Sequence, residues 1–260
     1  MILKTKSKWS IFRLNSIIIL LIITSCASTE TKPITVFNYN IHHGEGMDNV
    51  LDLDRIAKVI NSASPDVVTL QEVDINTERT GKVHQMEVLA KLTNMNFAFG
   101  KSIDLQGGKY GNGILTKFPI KEQKTYPLPG NEPRSALAVT MELDDKKEIV
   151  LISTHLATEK EGRLASIEPI GKILKDYNQL PLILAGDFNA VPESKVISKL
   201  NAKLNNTTVG KKTHPVNVPT GQIDYIFCSN NDQWSVVSSK VLDEKVASDH
   251  RPLVSVLKLK

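Results

Sequence analysis

The sequence predicts an α/β protein in four layers, an α/β/β/α sandwich in which two packed mixed β-sheets are flanked by helices. Three observations carry that prediction. Nine short apolar runs read as strands, and several are nearly continuous, the pattern of strands buried on both faces. These runs outnumber the helix candidates by about two to one, whereas a doubly wound sheet wants roughly one helix per strand. Neighbouring runs are joined by short connections, so sheets packed face to face and backed by helices fit better.

In chain order, ITVFNYNI (from Ile34) alternates and reads as a strand with one buried face. DVVTLQEV, NGILTKFPI, SALAVTMEL, EIVLIST, LPLILAGD, QIDYIFCS, WSVVSSKVL and PLVSVLKLK supply the others. Leu53, Ile56, Ala57 and Ile60 fall at i, i+3, i+4 and i+7 of a helix, with Asp52 as its N-cap. Met86, Leu89 and Ala90 mark a second helix, and Ser194 to Leu200 a short fourth. A third covers Leu164 to Tyr177, where Pro169 either kinks the helix or opens its second half. Gly107 to Ile120, GGKYGNGILTKFPI, reads as a glycine loop entering a strand. It is not a phosphate-cradling GxxxxGK[ST] loop, because Phe118 follows Lys117.

Ahead of this domain, Lys4, Lys6, Lys8 and Arg13 precede an unbroken apolar run from Ile17 to Ile23. A positive front, a short apolar core and small residues at the exit read as an export signal over residues 1–25. The run is shorter than the roughly 20 residues that span a bilayer. Its exit, ITSC, resembles the bacterial lipobox, which implies lipid on Cys26 and a membrane-anchored lipoprotein facing the periplasm or the cell surface. An ordinary signal or an uncleaved anchor with a chance cysteine is the alternative. Residues 26–33 read as a polar tether and residues 34–260 as one domain, expected to be a monomer. Four of the 32 Lys and Arg fall in the leader and none of the 28 Asp and Glu do, so the remainder is near neutral. Nothing global then favours a polyanionic partner. With Cys26 lipidated, Cys228 has no partner for a disulfide, and stability rests on core burial.

Polar residues recur at the ends of the apolar runs. Asn40, Glu72, His155, Asp187 and Asn189 close runs, Asp224 opens one, and Asp249 and His250 precede another. Each alone has a plain explanation, such as an Asx-turn. Together, carboxylates, amides and histidines at the ends of several strands suggest one shared rim.

LQEV, STHL, AGDFNA, IDYIF and SDHRPL, in this order and spacing, resemble the endonuclease/exonuclease/phosphatase superfamily. Its fold is that of deoxyribonuclease I, apurinic endonucleases, neutral sphingomyelinases and inositol polyphosphate 5-phosphatases. The resemblance covers about Ile34 to Leu257. It implies a deoxyribonuclease I-like four-layer sandwich and metal-assisted hydrolysis of phosphate esters. It further implies that Glu72 is the main metal-binding carboxylate, with Asn40 beside it and Asp249 completing the shell. An all-oxygen set of few protein ligands suits Mg²⁺, with Mn²⁺ as a substitute. Asp187 resembles the residue that orients or deprotonates the attacking water, and Asn189 one that donates to a phosphoryl oxygen. His250 would face the phosphate, oriented by Asp224, since a carboxylate on the far ring nitrogen fixes the tautomer and raises the pKa. His155 resembles a second phosphate-contacting histidine and leaving-group acid. Apurinic endonucleases place a different residue there, so STHL points to the other branches.

Asn112 lies in a segment similar to the family's GN-x-I-L-S and is expected near the site. Arg134 resembles a recurring family position that either contacts phosphate or braces a strand. Arg79 is a rim candidate for substrate contact, with a solvated loop charge as the alternative. In NYNIHHGEG, strand alternation puts Asn38, Asn40 and His42 on one face and His43 on the other, which argues against a zinc site shared by the histidines. His42 is then a rim residue facing substrate or metal waters, His43 is structural and Glu45 is a loop charge. Substrate signals are thin. Beyond GKK at Gly210 to Lys212 there is no Lys/Arg cluster of the kind that grips nucleic acid. Aromatics are 5% of the chain, too few for base-stacking platforms. A small-molecule, sugar-phosphate or lipid-headgroup phosphoester is favoured over nucleic acid. The alternatives are a nuclease acting on extracellular nucleic acid and an inactive binding lipoprotein.

Overall fold

Two six-stranded sheets carry the fold of the computed structural model, which describes residues 1–2, 32–229 and 232–260. The first sheet has the order β11 (Trp234–Val241), β12 (Leu253–Leu259), β1 (Ile34–Asn40), β2 (Val67–Ile75), β4 (Gly108–Thr116), β3 (Asn96–Leu105). The second has the order β5 (Ile120–Leu128), β6 (Arg134–Glu142), β7 (Glu148–His155), β8 (Leu182–Asp187), β10 (Asp224–Ser229), β9 (Leu204–Asn206). β1 and β2 run parallel, as do β7 and β8, and the other neighbours are antiparallel. Both sheets are therefore mixed. The expected lipidation at Cys26, the leader from residue 3 and the tether up to residue 31 lie outside the described residues. Among those described, no helix is long and apolar enough to cross a membrane.

Three apolar layers separate four layers of backbone. Val36, Val67, Ile114, Leu137, Leu151 and Ile183 belong to the cluster between the sheets. Helices α1 (Leu53–Ser62) and α2 (Gln85–Thr93) pack Ile56, Ile60, Met86 and Leu89 on the outer face of the first sheet. Helices α3 (Lys160–Ala165), α4 (Ile167–Asp176) and α5 (Lys195–Asn201) cover the second with Ile170, Ile173, Val196 and Ile197. Asp52 caps α1 by accepting the Arg55 N–H at 2.8 Å. Pro169 sits in the first turn of α4, where its missing N–H costs nothing, so it opens the second of two helices rather than kinking one.

The structure departs from the sequence reading at three strands. β3 and β5 lie at sheet edges, with alternation blurred by polar side chains, and β9 has three residues. NGILTKFPI is not one strand: β4 ends at Thr116 and β5 begins at Ile120. The glycines before it lie at the hairpin and within β4 itself. A Cβ on Gly111 would run into the Gly100 carbonyl of the neighbouring strand.

The topology gathers the polar strand ends. β1 and β2 run the same way, so Asn40 pairs with Gln71, next to Glu72. β7 and β8 likewise finish side by side, His155 opposite Asp187. β10 is antiparallel to β8 and starts at the same rim, Asp224 opposite Asp187. β12 is antiparallel to β1, so Asp249 and His250, just ahead of it, arrive there too. Between the sheets, Asn38 Oδ1 accepts from Thr69 Oγ1 (2.8 Å) and Gln71 Nε2 (3.1 Å), and Asn38 Nδ2 donates to the Gly186 carbonyl of the facing sheet (3.4 Å).

Candidate active site

Glu72 reaches the rim through a β-bulge. Leu70 pairs with Gly113 and Val73 with Gly111, so Gln71 and Glu72 together face Asn112. Glu72 has φ of +60°, a costly conformation for a residue with a Cβ. Gln71 stays between the sheets, its Nε2 3.3 Å from Ser153 Oγ, while Glu72 is half-buried at the rim. Its Oε1 accepts from Asn40 Nδ2 at 3.0 Å, and the same nitrogen donates to Asp187 Oδ2 at 3.1 Å. Asn40 Oδ1 accepts the His42 N–H at 3.1 Å. The NH₂ of Asn40 thus ties the two carboxylates together, while its oxygen takes one backbone N–H. Glu72 is the half-buried carboxylate on this side. Asp249 is half-buried across the rim, its Oδ1 3.2 Å from Ser248 Oγ.

Asp187 lies at the centre, with its Oδ1 accepting the Asn189 N–H at 2.8 Å. Its Oδ2 lies 3.5 Å from His155 Nε2 and 3.7 Å from His250 Nε2. Burial, then the charge of Asp224, holds its pKa well above the ordinary carboxylate range. His250 Nδ1 donates to Asp224 Oδ2 at 2.9 Å, and Thr213 Oγ1 donates to the same oxygen. Burial alone would drive the His250 pKa down. Asp224 and Asp187 outweigh it and raise the value to about 10, so His250 is an imidazolium at neutral pH.

His155 is the opposite case. Burial, with Arg134 and His250 nearby, holds its pKa well below 6.5. Its Nε2 accepts from Asn189 Nδ2 at 3.0 Å. The expected leaving-group acid is thus a neutral imidazole whose rim-side nitrogen is an acceptor. The expectation for Asn189 changes with it, because its two amide hydrogens go to His155 Nε2 and the Leu156 carbonyl, both at 3.0 Å. It fixes His155 instead of pointing free donors at a substrate.

The strand that carries Asn40 ends there, which overturns the alternation argument for the two histidines. His42 and His43 lie in a short 3₁₀ turn with φ of 45° and 44°, and their rings meet at 4.6 Å instead of facing opposite ways. His42 Nδ1 is 3.2 Å from the Glu45 carbonyl, and His43 Nε2 is 3.5 Å from Glu45 Oε2. Among the described residues the converging ligand groups are Asp187–Asp224–His250 and His214–Asp249–His250, and neither includes this pair. Arg79 is corrected as well. Its guanidinium forms a two-point pair with the fully buried Asp74, at 2.7 and 2.9 Å, and lies 5.5 Å from the Tyr110 ring centroid. A buried carboxylate needs such a partner, so Arg79 is a brace. Asn112 bridges the sheets, with Nδ2 donating to the Ser135 carbonyl (2.9 Å) and its Oδ1 buried without a partner. Its expected substrate contact becomes a sheet-to-sheet tie. Arg134 is 7% exposed, beside His155. Its NH1 lies 2.7 Å from Glu132 Oε1, at an angle that makes an ion pair but no hydrogen bond, and its Nε is unpartnered.

Sequence reasoning missed Thr213, which secures Asp224, and Ser248, whose Oγ donates to the Asn40 carbonyl at 2.7 Å. Hydroxyl residues are too common in turns to stand out, and only the neighbouring IDY and SDH motifs could have flagged them. Glu72 and Asp249 are half-buried carboxylates of the type that suits a hard divalent cation keeping several waters, and of the two Asp249 belongs to a converging ligand group among the described residues.

A two-sheet sandwich whose rim gathers carboxylates, amides and two histidines is the architecture of a family of phosphate-ester hydrolases. The chain belongs to the endonuclease/exonuclease/phosphatase family, whose model matches residues 37–250. It is 25% identical to the protein YbhP of Escherichia coli (strain K12) over 250 residues, covering 89% of this chain and 98% of that one. A crystal structure of an endonuclease/exonuclease/phosphatase from Beutenbergia cavernae superposes with a TM-score of 0.69 at 25% identity, over 87% of this chain and 72% of that one. A family protein from Bacteroides thetaiotaomicron shares the fold with a TM-score of 0.76 at 18% identity, over 89% and 99% of the two chains.

Proposed function

We propose that the chain is a divalent-metal-dependent phosphoesterase, using Mg²⁺ with Mn²⁺ as a substitute, held by Glu72 and Asp249. The observation that carries this reading is the setting of Asp187, a buried carboxylate between two histidines and tied by Asn40 to Glu72. When bound, the cation supplies charge for a phosphoryl oxygen and a water of lowered pKa. Asp187 would orient an attacking water and accept its proton at the carboxylate; a raised carboxylate pKa suits a base working near neutrality. His250 offers its Nε2–H to a second phosphoryl oxygen while Asp224 fixes the ring.

The favoured substrates are small phosphoesters, sugar-phosphate or lipid-headgroup in type, met at the cell envelope by a monomeric chain anchored through Cys26. What supports a small substrate is that the sequence has no Lys/Arg cluster beyond the pair Lys211 and Lys212 ahead of Thr213. The test is a soluble form lacking residues 1–26, assayed with Mg²⁺ and Mn²⁺ on bis-p-nitrophenyl phosphate, glycerol and hexose phosphates, sphingomyelin, inositol phosphates and DNA. Turnover that EDTA abolishes is expected. No turnover on any of them would leave a binding protein, and turnover of DNA alone would make it a nuclease.

A further inference from the structure

We propose that His214 is the specificity residue of this site, binding a hydroxyl-bearing organic group esterified to the phosphate; the inference rests on the phosphoesterase reading above. Two observations place it. Its ring packs on that of His250, with centroids 4.8 Å apart and planes tilted by 43°. A ring nitrogen of His214, a carboxylate oxygen of Asp249 and a ring nitrogen of His250 all lie within 4.8 Å of one another. An ester group bound between the cation side and the imidazolium therefore has His214 as its next neighbour.

The loop that presents His214 is fixed to the catalytic residues. Thr213 Oγ1 donates to Asp224 Oδ2, and the Thr213 carbonyl accepts the Arg251 N–H at 2.9 Å. The Val216 N–H donates to the Asp249 carbonyl at 2.9 Å, and Arg251 Nε donates to the Val216 carbonyl at 2.7 Å. At the loop's other end, the Gly221 N–H donates to the His214 carbonyl at 2.8 Å. A side chain on such a support is held in place before substrate arrives, as selective recognition requires.

The chemistry of the ring gives the class of ligand. His214 is half-buried, and among the described residues none hydrogen-bonds to either of its ring nitrogens. An imidazole carries one donor and one acceptor nitrogen, and a hydroxyl can satisfy either. A polyol or sugar phosphate fits this wall better than an aryl or alkyl phosphate. A third metal-ligand role is disfavoured by His250, whose Nδ1 is committed to Asp224 and whose Nε2 faces Asp187, leaving only two free donors.

The test compares the wild type, His214→Ala and His214→Gln, with Mg²⁺, on matched glycerol and phenyl phosphates supplied as both monoesters and diesters. The wild type should favour the glycerol ester. His214→Ala should lower the glycerol-to-phenyl ratio of kcat/KM by at least about tenfold, mostly through KM, because a site built to hydrogen-bond a hydroxyl discriminates strongly. His214→Gln, which keeps a donor and an acceptor, should recover part of that ratio. An equal loss on both esters, or no loss, overturns the assignment. So does loss of a Mn²⁺ equivalent in calorimetry of His214→Ala, which would make the residue a metal ligand. A wild type that hydrolyses none of the esters ends the phosphoesterase reading itself.

Discussion

His250 Nδ1 donates to Asp224 Oδ2 across 2.9 Å, joining a residue ahead of β12 in one sheet to the first residue of β10 in the other. Asp224 is the foremost of the charges that raise His250 to about 10. Asp224→Asn should let the His250 pKa fall towards the ordinary imidazole value. The imidazolium is then lost at lower pH, so the alkaline limb of kcat/KM should move to lower pH, with kcat reduced about 10²-fold. A pH–rate profile whose alkaline limb stays in place would refute the role given to Asp224.

The same pair makes a prediction about stability. His250 binds its proton more tightly folded than unfolded, so its contribution is fully present below the unfolded pKa of 6.5 and disappears as pH rises through about 10. The gap in denaturation midpoint between wild type and His250→Gln should be widest in mildly acidic buffer and should close towards alkaline pH. Urea titrations at a series of pH values measure it, and a gap that widens with pH would show the sign to be wrong.

Asn40→Ala should weaken Mg²⁺ binding by about 10- to 100-fold, since partners that orient ligands typically contribute that much. Without the amide, Glu72 and Asp187 face each other with no donor between them. Calorimetric titration of metal into wild type and variant checks this, and equal affinities would mean that the bridge is incidental.

Glu72→Gln should abolish the thermal shift that Mg²⁺ produces. A cation at about 100 times its Kd stabilises the folded chain by about 2.7 kcal/mol. Differential scanning calorimetry with and without Mg²⁺ reads the shift with no substrate present. A full shift retained by the variant would place the cation elsewhere.

The polar residues that close apolar runs were legible because strand direction sends those ends to one rim. Asp187, Asp224 and His250 needed only sheet order to meet. The four layers were legible because continuous apolar strands must be covered on both sides. Edge strands β3 and β5 were not, because water on one side removes the pattern that marks a strand. Nor was the direction of each hydrogen bond. Asn40 and Asn189 have side chains suited to a cation or a phosphate, but neighbouring carboxylates, a ring nitrogen and backbone groups decide which atom points where. His42 and His43 were misplaced because period-two reasoning continued past the last strand residue into a turn with positive φ.

Glu72 and Asn40 ride on one sheet, and His155 and Asp187 on the other. The spacing between the cation's carboxylate and the base is therefore set by how thick the interior is, with Val36, Val67, Leu151 and Ile183 acting as its gauge blocks. Thinning that interior with Leu151→Ala should slow turnover at temperatures where the chain is still folded, although no atom of Leu151 belongs to the rim. Activity would then read the calibration of the core, and drift in that calibration would register before melting does.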